Sequence, residues 1–236
     1  MTVEEFSNAF DTLLNSYSTQ SLFGDTSSLR DITLDEYEKS LFLTQAQEQL
    51  VVELYTGRNT KGEPFEGTEE LRSNLKDLIK TDVLEEDKEG HKGLSRDSKF
   101  FKAPDDVLFI TYEYAVINDE SSGCKNGSEI LIIPVTQDDF NRMKNNPFKG
   151  PSDKRALRLD NSNNILEVVS KYNIKDYTIR YLSKPTPIIL ADLDGVSINE
   201  CSTVTQCMLN SAMHRPILER AVMLAISSRG SQKSNV

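Results

Sequence analysis

The stretch VLFITYEYAVI-NDESSGCKNGS-EILIIPV, residues 107–135, carries the pattern that decides the fold class. Its two outer segments are rich in β-branched and aromatic residues, a composition typical of β-strands. The polar segment between them contains the turn-forming pair Asn126-Gly127. We therefore predict a β-hairpin with a long loop.

The residues after this hairpin continue the β-rich pattern. RALRLD (155–160) and NILEVVS (164–170) predict a second hairpin, and a short helix through 136–143 lies between the two. DYTIRYLSKPTPIIL (176–190) predicts a long strand that is interrupted by Pro185 and Pro187, because proline cannot donate a hydrogen bond to a neighbouring strand.

The residues before the hairpin have helical periodicity instead. A first helix begins with Thr2 and Glu5 in the spacing of a capping box, and a short third helix is capped by Thr68. The long second helix is predicted from 33 to 55, with a capping box at Thr33 and Glu36 and an apolar stripe wide enough to need covering from more than one side. Near the end of the chain, a closing helix begins at 210 or 211. One of its faces is apolar and consists of His214, Ile217, Leu218, Ala221, Val222 and Ala225.

Helices, then strands, then one closing helix predict an α+β fold. Its parts are N-terminal helices including one long helix, a mostly antiparallel β-sheet in the rear half, and a closing C-terminal helix. We predict a helical region at 1–80 and a β-rich α+β region at 81–228 that includes the closing helix. The second region forms one continuous unit with the first, and residues 229–236 form a flexible tail.

The composition excludes several classes of protein. The 236 residues are 37% hydrophobic and 27% charged, and no apolar run is long enough to cross a bilayer. The acidic start MTVEEFSNAF does not resemble a secretory signal, and three cysteines cannot build a disulfide framework. The net charge is −10, with 8 basic and 20 acidic residues in 1–90 against 19 and 17 in 91–236. A typical nucleic-acid reader would be basic, so this asymmetry suggests instead that the two halves face different surroundings.

Two groups of residues have the types, but not the pattern, of a catalytic or metal site. In IILADLDGVS (188–197), Asp192 and Asp194 resemble the first motif of haloacid-dehalogenase-type phosphatases, but the downstream elements that this chemistry needs are missing. We therefore expect a tight turn in which Gly195 has a positive φ. Cys201, Cys207 and His214 match no structural zinc spacing. We predict no catalytic residue, no metal and no cofactor.

One basic cluster remains as a candidate binding site. Six basic residues and one acidic residue lie between 142 and 158, in a stretch that two prolines mark as an exposed loop. The basic residues are Arg142, Lys144, Lys149, Lys154, Arg155 and Arg158. The cluster could contact DNA phosphates or an acidic neighbour, including the acidic half of another copy, and the alternative is a merely solvated loop.

Taken together, several segments resemble a virion structural protein of the crAss-like tailed bacteriophages. The long-helix segment LDEYEKSLFLTQAQEQLVVELYTG (34–57) is similar to its N-terminal helix. The rear half has a matching order over roughly 30–225. This order consists of the hairpin 107–135, NPFKGP (146–151), RALRLD, EVVSKYNIKDYTIRYLSKPTPIIL (167–190) and HRPILERAV (214–222).

The resemblance implies a non-enzymatic ring subunit of the head–tail neck or connector, which links portal and tail around the DNA channel. It implies that the chain forms a closed homo-oligomeric ring, with a dodecamer as one candidate. The implied partners are neighbouring portal, ring or tail proteins and the passing genomic DNA, which would be contacted non-specifically. No membrane partner is implied. The implied location is the virion, assembled in the host bacterial cytoplasm. The alternatives are a small Mg-dependent phosphatase-like hydrolase that uses Asp192 and Asp194, or a nucleic-acid-binding accessory protein.

Overall fold

The computed structural model describes residues 1–20, 33–58, 62–88 and 90–232. The helices are α1 Val3–Gln20, α2 Glu36–Thr56, α3 Glu69–Leu75, α4 Gln137–Met143 and α5 Ser211–Gln232. The strands are β1 Ile79–Leu84, β2 Ser98–Lys102, β3 Val107–Ile117, β4 Glu129–Pro134, β5 Arg155–Asp160, β6 Ile165–Val169 and β7 Ile174–Ser183. The predicted α+β fold class is confirmed. The last four residues of the predicted flexible tail lie outside the described ranges.

The chain divides into two compact units. One consists of 1–78 together with 185–236, and the other of 79–184. The packing thus groups α5 with the N-terminal helices, whereas the sequence placed it with the strands. The predicted regions 1–80 and 81–228, and their continuity as one unit, stay predictions.

The strand unit is a single seven-stranded sheet with the order β1-β7-β3-β4-β5-β6-β2. Both predicted hairpins are confirmed, since β3 pairs antiparallel with β4 and β5 pairs antiparallel with β6. The pairing of β4 with β5 is parallel, and α4 lies in the connection between these two strands. The prediction of one long strand to 190 is wrong in extent, because β7 ends at Ser183, two residues before Pro185.

The sheet curls so that its two ends meet at one corner. The chain after β1 reaches β2, where Glu86 bridges Phe101 and the Asp87 N–H donates to the Phe100 carbonyl at 2.7 Å. The inward side chains form one apolar core. Its largest members include Phe101, Ile117, Ile130, Tyr177 and Tyr181. A smaller apolar cluster packs α4 against β5 and β6 through Phe140, Leu157, Leu159 and Val169.

A charged network is buried in this unit. Arg158 Nη1 donates to Glu113 Oε1 at 2.7 Å, and the Tyr177 hydroxyl donates to the other Glu113 oxygen. The side chains of Arg158 and Glu113 are 9% and 6% exposed. Burial raises the pKa of Glu113 above its usual range, although Arg158 and Tyr177 act in the opposite direction. The pair is therefore held by its mutual hydrogen bonds and not by favourable solvation.

The helical unit begins as the sequence predicts. Thr2 and Glu5 form the predicted capping box of α1, with reciprocal bonds of 2.8 and 3.2 Å. The predicted start of α2 is wrong by about two residues, because its capping box is made by Asp35 and Glu38. Gly57 ends α2 with a φ of 75°, the left-handed conformation that glycine adopts without strain. Of the helices in the described ranges, none is both long enough and apolar enough to cross a membrane.

The predicted apolar face of α5 is confirmed, because all six of its predicted residues are buried. Helix α2 packs on α5, and Arg220 of α5 donates to Glu53 of α2 at 2.7 Å. Helix α1 is tied to α2 through the buried Lys39, whose ammonium lies 2.7 Å from an Asp11 oxygen and 3.0 Å from a Glu36 oxygen.

The buried face of α2 is more polar than the sequence suggests. Leu41 and Val52 of the predicted wide apolar stripe are 42% and 37% exposed, whereas Ser40, Thr44 and Gln47 are buried. These three polar side chains bind the backbone of 186–190. Ser40 Oγ accepts from the Leu190 N–H, Thr44 Oγ1 from the Ile188 N–H, and Gln47 Nε2 donates to the Thr186 carbonyl, at 3.0, 3.1 and 2.7 Å. A proline-interrupted segment thereby obtains the hydrogen bonds that a sheet would otherwise supply.

Candidate assembly surface

The six basic residues predicted as a binding cluster divide into two groups. Arg142 and Lys144 lie at the end of α4, and Lys149 and Lys154 lie in the connection to β5, all of them exposed. Arg155 and Arg158 are residues of β5 itself. Because the first four share one exposed stretch, they form the accessible part of the predicted cluster.

Arg155 and Arg158 correct the prediction of six exposed cations. Arg158 is 7% exposed and is bound to Glu113, since the alternation along β5 directs it to the same side as the buried Ala156. Arg155 is half-buried and donates through Nη2 to the carbonyls of Phe148 and Gly150. Both arginines therefore hold the protein's own structure and are not exposed cations.

The connection from α4 to β5, residues 144–155, forms a loop with fixed internal hydrogen bonds, here named the knob loop. Asn146 Oδ1 accepts from the Phe148 N–H at 2.8 Å and from the Lys149 N–H at 3.2 Å. The Asn146 carbonyl accepts from the Gly150 N–H at 2.7 Å. Together with the two bonds from Arg155, these contacts fix both sides of the tip. The loop is thus built to hold one conformation.

Phe148 lies at the tip of the knob loop and is 84% exposed, the most exposed large apolar residue among the described ranges. Burying a phenylalanine side chain contributes about 1.5 to 3 kcal/mol. This residue forgoes that gain within its own chain while its backbone is held in place. A rigid, exposed aromatic side chain is the usual form of an anchor at a protein–protein interface.

The knob loop depends on Gly150, and this dependence gives a test of its rigidity. A Cβ at this position would lie 2.7 Å from the carbonyl oxygens of both Asn146 and Met143. We expect Gly150→Ala to lower the free energy of unfolding by about 1 to 3 kcal/mol, as other overpacked sites do. Urea unfolding measures the loss, and limited proteolysis within 144–155 should become faster. Gly90→Ala is the control, because its Cβ would meet no atom within 4 Å; equal effects of the two substitutions would contradict the proposed rigidity.

An exposed aromatic patch adjoins the base of the knob loop. Tyr112 is 51% exposed and Leu131 is 44% exposed, and the Tyr112 and Tyr114 ring centroids lie 5.9 Å apart. Leu131 is paired with Tyr114 across β3 and β4, and its N–H donates to the Lys154 carbonyl. These residues line a shallow depression of about 510 Å³. Exposed aromatic side chains are enriched at protein interfaces.

The acidic residue within the knob loop itself, Asp153, is paired with a lysine from outside the loop. Lys125 Nζ lies 2.8 Å from Asp153 Oδ2, and this hydrogen bond lowers the pKa of Asp153 below its usual range. Lys149 and Lys154 make no ion pair with another described residue. The knob loop therefore combines an exposed apolar tip, Phe148, with two exposed lysines.

The helical unit carries a surface of opposite charge. Glu63, Glu66, Glu69 and Glu70 are exposed within eight residues, 63–70, here named the acidic segment. The segment is folded against α2, because the Phe65 ring stacks on Tyr55 at 6.0 Å and the Phe65 N–H donates to the Tyr55 carbonyl. Thr68 caps the following helix α3, as predicted. The acidic segment is thus also held in a defined conformation.

The phosphatase-like motif forms a turn. Gly195 has the predicted positive φ, 75°, and Asp192 Oδ1 accepts from the Val204 N–H at 2.9 Å, while Asp194 is exposed. The searched residues, which are those in the described ranges, contain no group of three or more histidine, cysteine or acidic side chains placed to hold a metal. Asp192 therefore stabilises the local backbone by connecting the turn to Val204.

Cys207 and His214 also have local partners. Cys207 Sγ lies 3.2 Å from Gln47 Oε1, and burial raises its pKa. His214 Nε2 contacts the Leu209 carbonyl at 3.1 Å, and burial lowers its pKa. Cys201 packs at the edge of an apolar cluster that includes Ile198. Each of these side chains thus has a partner in its immediate surroundings.

Sequence reasoning identified the knob loop but missed its most exposed residue. The signal was present in NPFKGP (146–151), in which a large apolar residue stands between a proline and a glycine, where the chain cannot continue a helix or strand. A phenylalanine in such a turn lacks the periodic neighbours that would bury it.

Comparison with known proteins places this geometry in a family. The chain matches the family described as phage tail ring protein 3/4 over residues 1–236. It is 52% identical to Ring protein 3 of Bacteroides phage crAss001, over 100% of this chain and 99% of that protein. It is also 34% identical to Ring protein 4/5 of the same phage, over 95% of this chain and 92% of that protein. The match therefore extends beyond the 30–225 of the sequence resemblance, and the chain belongs to the phage tail ring protein 3/4 family of the crAss-like phages.

Proposed function

We propose that this chain is a non-enzymatic ring subunit of the head–tail neck, which links portal and tail around the DNA channel. In this role, many copies associate into a closed homo-oligomeric ring that binds adjacent portal, ring or tail proteins. The genomic DNA passes through the ring and is contacted non-specifically. The subunit is located in the virion after assembly in the host bacterial cytoplasm.

The observation that carries the proposal is the full-length match to a family of ring proteins. The surface of the chain is compatible with it, because a cyclic contact needs two different surfaces on one subunit. The knob loop and the acidic segment are two such surfaces with opposite charge. Asp192, the nucleophile of the phosphatase alternative, accepts a hydrogen bond from the Val204 N–H at 2.9 Å, which supports the predicted turn.

The location is tested by labelling purified particles with gold-conjugated antibodies against this chain and imaging them by electron microscopy. We expect label at the junction of head and tail. Label on the capsid shell or on the fibres, or an absence of the chain from particles, would refute the proposed role. Averaged images of the same junction then give the number of copies, for which a dodecamer is one candidate.

The acidic excess of 1–90 adds a further expectation about the channel. Carboxylates on the channel wall would repel DNA phosphates and let the duplex slide without adhering. We propose that some front-half acids supply this wall. A map of the assembled ring tests the idea, since carboxylates that point outward or are covered by a neighbouring subunit would refute it.

A further inference from the structure

We propose that the knob loop docks onto the acidic segment of a neighbouring copy of this chain, with Phe148 as its anchor. The inference rests on the proposed ring function and adds the two surfaces through which neighbouring subunits meet. In a dimer joined by this heterologous contact, one knob loop and one acidic segment are not yet docked to another copy, so further copies can add and close a ring.

The Phe148 side chain is exposed to water at the tip of a loop that is already ordered. Its ring is 84% exposed, although Asn146 and Arg155 fix the backbone on both sides of it. A loop that is already ordered loses little conformational entropy on binding, so more of the contact energy appears as affinity. The geometry therefore suits a side chain that is buried only in an assembly.

The exposed lysines of the knob loop add positive charge to the surface that carries the Phe148 side chain. Lys149 follows Phe148 directly, and Lys154 lies in the same loop, both exposed and without an ion pair to a described residue. Asp153 is held by Lys125, so it does not neutralise them. A partner for this loop should combine negative charge with a surface that an aromatic ring can contact.

The acidic segment of another copy has the properties that this partner needs. The acidic segment has four exposed glutamates in eight residues with no basic residue among them. Pro64, in the middle of the segment, is exposed and gives an aromatic ring an apolar surface to contact, whereas Phe65 is 4% exposed and packs on Tyr55, which fixes the segment. Both partners are thus ordered before they meet, and their charges are complementary.

Duplex DNA fits the knob loop less well. Of the six predicted cations, Arg158 is buried against Glu113 and Arg155 already donates to backbone carbonyls of its own chain. The most exposed side chain is apolar and would gain nothing from a phosphate backbone, whose contacts are made by cations and hydrogen-bond donors. The observations therefore favour a protein partner.

The test uses purified particles treated with a zero-length carbodiimide, which joins lysine to carboxylate only in direct contact. We expect a covalent dimer of this chain whose joined peptides contain Lys149 or Lys154 on one side and a glutamate of the acidic segment on the other. Dimers joined only elsewhere, or no dimers, would overturn the proposal. The antibody labelling of the head–tail junction does not depend on this crosslink. The proposed ring function can therefore be confirmed even if the proposed docking contact is wrong.

Variants of the purified full chain isolate the anchor. Aromatic anchors carry a large share of the binding energy of an interface, so we expect Phe148→Ser to lower the yield of this crosslink at least about tenfold at a fixed concentration. Leu94→Ser is the matched control, because Leu94 is 54% exposed in a loop of the same unit and should leave the yield unchanged. Equal yields for wild type and Phe148→Ser would overturn the role of the Phe148 side chain as the anchor.

A charge exchange then separates docking from DNA binding. Lys149→Glu with Lys154→Glu should remove the crosslink partners and weaken dimerisation, as should Glu66→Lys with Glu69→Lys. Mixing these two double variants should restore a dimer, detected by native mass spectrometry. If the lysine variant instead weakens duplex DNA binding with a steep salt dependence and leaves dimers intact, the loop serves DNA and the proposal is wrong.

Discussion

Arg158→Ala will lower the free energy of unfolding of the protein by about 3 to 5 kcal/mol, the usual cost of breaking a buried ion pair on one side. The Glu113 carboxylate would lose its 2.7 Å partner while remaining 6% exposed, with the Tyr177 hydroxyl as its closest remaining donor. An uncompensated buried charge cannot be rehydrated without opening the sheet. Urea unfolding followed by circular dichroism measures the loss.

Two controls make this expectation specific to burial. Lys80→Ala breaks an ion pair of 2.6 Å in which both side chains are substantially exposed, and it should cost less than about 1 kcal/mol. Replacing the whole network with apolar residues, Glu113→Leu with Arg158→Met and Tyr177→Phe, should recover most of the stability lost in Arg158→Ala. Equal losses for Arg158→Ala and Lys80→Ala would show that the network is not isolated from water.

Ser40→Ala combined with Thr44→Val will also strongly destabilise the protein. Each substitution removes the acceptor of a buried backbone N–H, that of Leu190 and that of Ile188. An unsatisfied buried donor costs about 1 to 3 kcal/mol, so the pair should cost about 2 to 6 kcal/mol if the two losses add. Within the described residues, the backbone of this segment bridges to Thr205 only through Ile189, so the N–H groups of Ile188 and Leu190 depend on α2. Urea unfolding of the single and double variants measures the effect.

Thr56→Ala provides the matched control for this prediction. Its hydroxyl also bonds to the backbone, donating to the Val52 carbonyl at 2.8 Å, but on an exposed part of the same helix α2. Water can replace that bond, so the change should stay within about 0.5 kcal/mol. A double variant that loses no more than Thr56→Ala would mean that the polar face of α2 is dispensable.

The elements that sequence predicted correctly are those with strong local patterns. The hairpin of β3 and β4 has β-branched strands and an Asn126-Gly127 turn, and the apolar face of α5 repeats at helical spacing. Strands β1 and β2 were missed because IKTDVL and SKFFK are short and polar. They become strands only through pairing with β7 and β6, which are distant in sequence.

The same limit explains what was wrong about the candidate site. Sequence shows that Arg155 and Arg158 are near other cations but not which way they point. In β5, alternation sends Arg158 to Glu113, which is 45 residues earlier in the chain. Likewise, helical spacing on α2 predicts one wide apolar stripe, because nothing local shows that Ser40, Thr44 and Gln47 face a backbone about 140 to 150 residues away.

The meeting of the two sheet ends has a consequence for how other chains can contact the strand unit. Because Glu86 and Asp87 cover the outer side of β2, that strand offers little unpaired backbone on which a second chain could extend the sheet. At this corner, another chain would be recognised through side chains, whose charge and shape discriminate between partners. Contacts at this corner can therefore change by surface substitution alone, while the backbone of β2 stays covered.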